Sequence, residues 1–166
     1  MARNRKYNVR LKRKRNGKTD YKLRMNLLKS NKPRLVIRKS LKNMLIQIIK
    51  SDEAKDRILL SCSGNELKKL GWDKNLGNIP SSYLIGLLIG KKALKKGNKE
   101  VILDLGMQKT VAKSRLYSAL KGCIDAGLKI AHNPKVFPPE DRIKGLHISK
   151  EIGDKFEEIK KKIEHG

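Results

Sequence analysis

The chain has 166 residues, 41 of them Lys or Arg against 16 Asp or Glu, for a net charge of +25. That length suits one domain with tails, and so large a charge opposes compaction unless a polyanion lies alongside. Hydrophobic residues make up 38%, enough for one core and too many for wholesale disorder, and no apolar run approaches a membrane span of about 18–20 residues.

Residues 1–18 read as a tail. Arg3, Arg5, Lys6, Arg10, Lys12, Arg13, Lys14, Arg15 and Lys18 crowd it, and beyond the first two residues only Val9 and Leu11 are aliphatic. Nothing there offsets the entropy of ordering, so the tail is expected to order only on a partner. No apolar segment follows it, as a signal peptide would require. Thr19 or Asp20 suits the N-cap of a helix reaching about Ser30. Its Tyr21, Leu23, Met25, Leu27 and Leu28 form one wide apolar arc that is expected to dock on something apolar. Lys18, Lys22 and Lys29 gather opposite. Asn31 and Pro33 end it.

Arg34–Lys39 and Met44–Ile49 alternate as strands, joined by the hairpin-length loop Ser40–Asn43. Leu35 and Ile37 share one face of the first strand, with Arg34, Val36 and Arg38 on the other. A turn over Ser51–Lys55 leads to a third strand, Arg57–Cys62, which completes an antiparallel meander. Ser63–Leu70 suits a short helix. A longer helix starts near Pro80 and stops at Gly97. Its Gly86 and Gly90, four apart, predict close packing on the sheet. The Val-Ile-Leu run in Glu100–Leu105 predicts a central strand covered on both faces, with a helical crossover making its pairing parallel. Leu116, Ala119, Leu120, Cys123 and Ile124 mark the next helix. Ser149 caps a last one, with the stripe Ile152, Phe156, Ile159 and Ile163. The fold class is therefore α/β, a mixed sheet in β-β-β-α-β-α order. The body spans 19–148, between the basic tail 1–18 and the C-terminal helix 149–166.

From Arg3 to Arg24 there are eleven bases and one acid. This run enters the predicted helix directly, and a strand carrying Arg34, Arg38 and Lys39 follows. Tail, helix and strand can thus form one positive surface for a nucleic acid. Tyr7 and Tyr21 lie among the cations, where an aromatic can stack on an unpaired base for about 1–3 kcal/mol. Packing beneath its helix is the alternative for Tyr21. No helix-turn-helix, zinc-finger or bZIP pattern is present, and an arm that folds on contact suits structured RNA. Arginine forks onto phosphate and stacks on bases, which weights Arg10, Arg13, Arg15, Arg34 and Arg38 above the lysines.

An enzyme would need Asp104, Asp125, Glu140 and Asp141 to converge on Mg²⁺ for phosphoryl transfer. In the plainer reading Asp104 and Asp125 cap or pair locally, and Glu140–Asp141 opens a helical turn. Cys62, Cys123, His132, His147 and His165 show no zinc-ligand spacing, and the cysteines read as buried free thiols. No metal or cofactor is expected. A nuclease and an architectural DNA-binding protein are the alternatives to an RNA-binding structural protein.

The chain resembles the universal large-subunit ribosomal proteins that bind 5S ribosomal RNA, number eighteen in the bacterial naming, and most of all their archaeal branch. The resemblance rests on Gly17-Lys18-Thr19-Asp20-Tyr21, Ser30-Asn31-Lys32-Pro33-Arg34-Leu35-Val36 and Arg38-Lys39-Ser40. It continues through Gly71-Trp72, Gly77-Asn78-Ile79-Pro80, Asp104-Leu105-Gly106, Asp125-Ala126-Gly127-Leu128 and Glu140-Asp141-Arg142-Ile143, covering roughly residues 10–150 in order. It implies a ribonuclease-H-like strand arrangement without nuclease activity, in a cytoplasmic ribosome, at one copy per particle. The implied partners are 5S rRNA, the large-subunit rRNA of the central protuberance and a neighbouring 5S-binding ribosomal protein. The implied RNA contacts are Arg10–Arg15, Lys18, Thr19, Tyr21 and Arg24, then Arg34, Arg38, Lys39 and Ser40 at the hairpin. Lys22 lies among these positions and Lys42 just beyond them, and both extend the expected surface. The hairpin tip departs from the family, with Leu41-Lys42-Asn43 where Asn-Lys-His is expected.

Overall fold

The computed structural model describes residues 8–52 and 55–165. Arg3, Arg5, Lys6 and Tyr7 lie outside the described residues. Four strands form one mixed sheet: β1 (Arg34–Lys39), β2 (Met44–Asp52), β3 (Lys55–Ser63) and β4 (Ile102–Asp104). Their spatial order is β3-β2-β1-β4, antiparallel between β1, β2 and β3 and parallel between β1 and β4. Two helices precede the sheet, α1 (Lys12–Arg15) and α2 (Tyr21–Leu28). The helices α3 (Gly64–Lys69) and α4 (Ile79–Lys95) cross from β3 to β4. After β4 come α5 (Arg115–Asp125), α6 (Glu140–Lys144) and α7 (Lys150–His165).

Strand alternation builds the core. Leu35 and Ile37 of β1 pair with Ile48 and Ile46 of β2, and all four are fully buried on the face covered by α4 and α5. Asn78 caps α4 by accepting from Ser81 N–H at 3.0 Å, with Pro80 in the first turn. Helix α7 buries the expected stripe Ile152, Phe156, Ile159 and Ile163. Phe156 meets Tyr83 of α4 at 5.5 Å between ring centroids, which joins this helix to the same core.

Four features differ from the sequence reading. The Val-Ile-Leu run does not form a central strand: β4 is three residues long and lies at the edge of the sheet, beside β1. Its crossover gives parallel pairing as expected, and the partner is β1. The run is apolar because Val101 is buried while the backbone around it pairs with Lys129. Second, Gly86 and Gly90 face α5, not the sheet. A methyl built on Gly86 would collide with the carbonyl of Ala119, and one on Gly122 of α5 would collide with that of Tyr83. These glycines let two helix backbones touch.

Third, the apolar arc of α2 is not buried: no residue of this helix is, and Leu23 and Met25 are 41% and 58% exposed. Alternation places Arg34, Val36 and Arg38 opposite Leu35 and Ile37, and α2 lies over that second face, with Leu23, Arg24 and Leu27 lining a cleft above Arg34 and Arg38. Fourth, part of the tail has structure. Lys12–Arg15 make one helical turn, and Gly17, with φ of +61°, turns the chain toward α2. The left-handed conformation there favours glycine.

Candidate nucleic-acid interface

The positive surface starts at the arm. Arg10, Lys12, Arg13, Lys14, Arg15, Lys18 and Lys22 are all exposed. After the bend at Gly17, Arg13 Nε–H donates to Thr19 Oγ1 at 2.9 Å, which ties the arm to the entry of α2. Asp20 caps that helix, its Oδ1 accepting from Lys22 N–H at 2.9 Å and Leu23 N–H at 3.1 Å. The acid inside the basic run therefore satisfies backbone donors that would otherwise be unpaired. Tyr21 is half-buried at the same end of the helix.

The sheet supplies the second part. Lys39 and Lys42 are exposed around the hairpin. Ser40 has a structural task there, since its Oγ accepts from Asn43 N–H and donates to Asn43 O, both at 3.0 Å. Beyond the end of β4, Gln108 replaces a strand. Its Nε2 donates to Ile37 O at 2.6 Å and its Oε1 accepts from Lys39 N–H at 2.8 Å. Arg115 Nη1 donates to Gly77 O at 2.7 Å and Leu41 O at 3.3 Å, which anchors the hairpin tip to the helical layer. Sequence reasoning missed Gln108 and Arg115, because each acts on backbone far away in the chain.

A chain of ion pairs links these parts. Arg24 Nη2 of α2 lies 2.8 Å from Asp56 Oδ2, and Asp56 Oδ1 lies 2.8 Å from Arg34 Nη2. Arg34 Nη1 reaches Asp104 Oδ2 at 2.8 Å, and Asp104 Oδ1 lies 3.1 Å from Arg38 Nη2. Arg34 was expected to fork onto phosphate, but it is only 3% exposed and both its Nη atoms face carboxylates. It braces the interface from below. Arg38 is half-buried; it also donates to Ile37 O and Asp104 O. Burial pulls the Asp56 carboxyl upward, but the bonds and charges of Arg34 and Arg24 outweigh this and hold it below its ordinary value. Asp56 drew no attention in the sequence. The only available signal was its being an acid in a basic chain.

The groups an enzyme would need are engaged elsewhere. Asp104 pairs with two arginines and accepts from Gly106 N–H, although its main partner lies 70 positions away rather than locally. Asp125 accepts from Tyr83 Oη–H and pairs with Lys121, each at 2.8 Å. Glu140 and Asp141 open α6. Among the described residues no group of three His, Cys, Asp or Glu side chains is placed to hold a metal ion. Cys62 and Cys123 are buried and free. Trp72 is fully buried in the core.

The family model for "Ribosomal large subunit proteins 60S L5, and 50S L18" matches residues 5–100 and 95–133. A large ribosomal subunit protein uL18 of Methanococcus maripaludis is 44% identical over 148 residues, covering 89% of this chain and 77% of the relative. A uL18 of Methanothrix thermoacetophila is 43% identical over 167 residues, covering 98% and 99% of the two chains. The matched span contains the cationic arm, α2, the first hairpin and the ion-pair chain beneath them, and with this identity over nearly the whole chain the protein belongs to the family of large-subunit ribosomal proteins that comprises 60S L5 and 50S L18.

Proposed function

We propose that this protein is a non-enzymatic constituent of the large ribosomal subunit that binds 5S rRNA and fastens it to the large rRNA in the central protuberance, in the cytoplasm and beside a second 5S-binding ribosomal protein. One cleft carries this reading: Arg13 and Lys18 of the arm, Arg24 of α2 and Arg34 and Arg38 of β1 line it together, held by Arg13–Thr19 and the Arg24–Asp56–Arg34–Asp104–Arg38 chain, with Lys39 and Lys42 exposed at the adjoining hairpin. Arg3, Arg5, Lys6, Arg10, Lys12, Arg13, Lys14, Arg15 and Lys18 neutralise phosphates. Thr19, Tyr21, Lys22 and Arg24 present α2, and Arg38, Lys39 and Lys42 present the hairpin. Tyr7 and Tyr21 are the aromatic candidates for base stacking. Arg34 and Ser40 act from within, the first under the surface and the second in the turn. The β3-β2-β1-β4 order, with a helical crossover into a parallel edge strand, supports a ribonuclease-H-like arrangement. Here its carboxylates serve as ion-pair partners instead of metal ligands.

Binding begins with long-range attraction. The arm then folds into an RNA groove while the braced sheet reads shape. Removal of residues 1–18 tests this. The truncated protein is expected to keep its fold by circular dichroism and to lose tight binding to a 5S rRNA transcript at about physiological salt. Unchanged affinity would refute the proposal. Sequencing the RNA that copurifies with the full chain identifies the partner directly.

A further inference from the structure

A carboxylate on an RNA-binding face repels the ligand, so each acid there needs a structural reason. Asp20 has one as a cap and Asp104 as a buried strut. Asp56 stands on β3, its side chain is 28% exposed, and it grips Arg24 of α2 and Arg34 of β1 at 2.8 Å each. Helix α2 buries no residue, so apolar packing alone does not hold it. Arg24–Asp56 is the ion pair that ties this helix to the sheet among the described residues. Arg24 uses only Nη2 in that pair. Its side chain is 36% exposed, so the guanidinium has donors beyond Nη2 that a phosphate can engage.

We propose that Asp56 is a positioning residue for RNA recognition: it fixes α2 through Arg24, so that Arg24, Tyr21 and Lys22 meet the RNA in register with Arg38 and the hairpin. This rests on the 5S rRNA reading given above. Its action is indirect. A guanidinium held by a carboxylate enters the complex already oriented, and the ordering of α2 is not charged against binding. The consequence is a sign opposite to simple electrostatics. Neutralising an acid beside a polyanion site raises affinity, whereas losing a positioning acid lowers it for the shaped target alone.

The experiment titrates the full chain and the variants Asp56→Asn, Arg24→Gln, the double variant and Asp52→Asn against a 5S rRNA transcript and a generic RNA duplex, at one salt concentration. Asp52 is exposed on the same hairpin and makes no ion pair among the described residues, so it reports the bare charge effect. Asp56→Asn is expected to weaken 5S rRNA binding about tenfold, the scale of a charged hydrogen bond, while duplex binding stays equal or tightens. In the Arg24→Gln background the same change should weaken nothing further, and Asp52→Asn should not weaken binding at all. Thermal melts confirm that each variant is folded. Undiminished 5S rRNA binding by Asp56→Asn overturns the inference, as does an equal loss with Arg24 already removed, which would mark a general fold defect. A wild-type chain that does not prefer 5S rRNA to the duplex overturns the functional reading instead.

Discussion

Arg34 and Asp104 lie 70 positions apart in the chain, yet they meet at 2.8 Å on neighbouring strands, with side chains 4% and 8% exposed. This buried pair sits under the basic surface and secures the short edge strand β4 to β1. Replacing Asp104 with Ala leaves the Arg34 charge in the interior with fewer partners and also removes the carboxylate acceptor of Arg38 Nη2 and of Gly106 N–H. Asp104→Ala should lower folding stability by roughly 3–5 kcal/mol. Chemical denaturation measures this, and a change within experimental error would mean that the pair contributes nothing.

The ion pairs of Asp56 give stability a defined pH dependence. Its carboxyl lies below its ordinary 3.8, so the folded state favours the ionised form. The contribution is therefore fully present above that ordinary value and is lost as pH falls through the lowered one. The stability difference between wild type and Asp56→Asn should be constant near neutrality and shrink in acid below about the ordinary carboxylate value. Denaturation curves at neutral pH and at pH near 3 provide the comparison.

The α4–α5 crossing leaves no room at Gly86. A methyl group there meets the Ala119 carbonyl, which is backbone and cannot rotate away. Gly86→Ala should cost about 1–3 kcal/mol or more through overpacking, despite alanine's better helix propensity. A melting temperature that rises on substitution would contradict the helix contact.

Both thiols should be inert in the folded protein. Cys62 and Cys123 have no exposed surface. Burial first, and Glu66 next, push the Cys62 thiol up to about 12, and burial raises Cys123 as well. A maleimide should label neither residue in buffer and both in denaturant. Rapid labelling under native conditions would show that the core opens.

In the proposed function the arm acts through charge, so its contribution should depend on salt. For Arg15→Gln, at an exposed arm residue whose side chain has no structural tie among the described residues, the slope of log affinity against log salt should fall by about 0.7–0.9, the loss of one phosphate contact. Affinity for the RNA should fall with little change in its preference over other RNAs. Titrations at three salt concentrations measure both quantities.

Much of this protein follows from local pattern. Alternation in Arg34–Lys39 places Leu35 and Ile37 in the core, the 3.6-residue stripe of α7 selects Ile152, Phe156, Ile159 and Ile163, and the crowd of cations before Asp20 announces a polyanion partner. These features depend on neighbours close in the chain, so backbone periodicity and composition suffice to find them. Tertiary structure decided the rest. Arg34 and Arg38 are equivalent by alternation, but one is buried between Asp56 and Asp104 and the other reaches the surface. Gly86 and Gly90 give the same spacing whether a sheet or a helix faces them. Each outcome depends on which distant group arrives opposite, and a chain read in one dimension carries no record of that pairing.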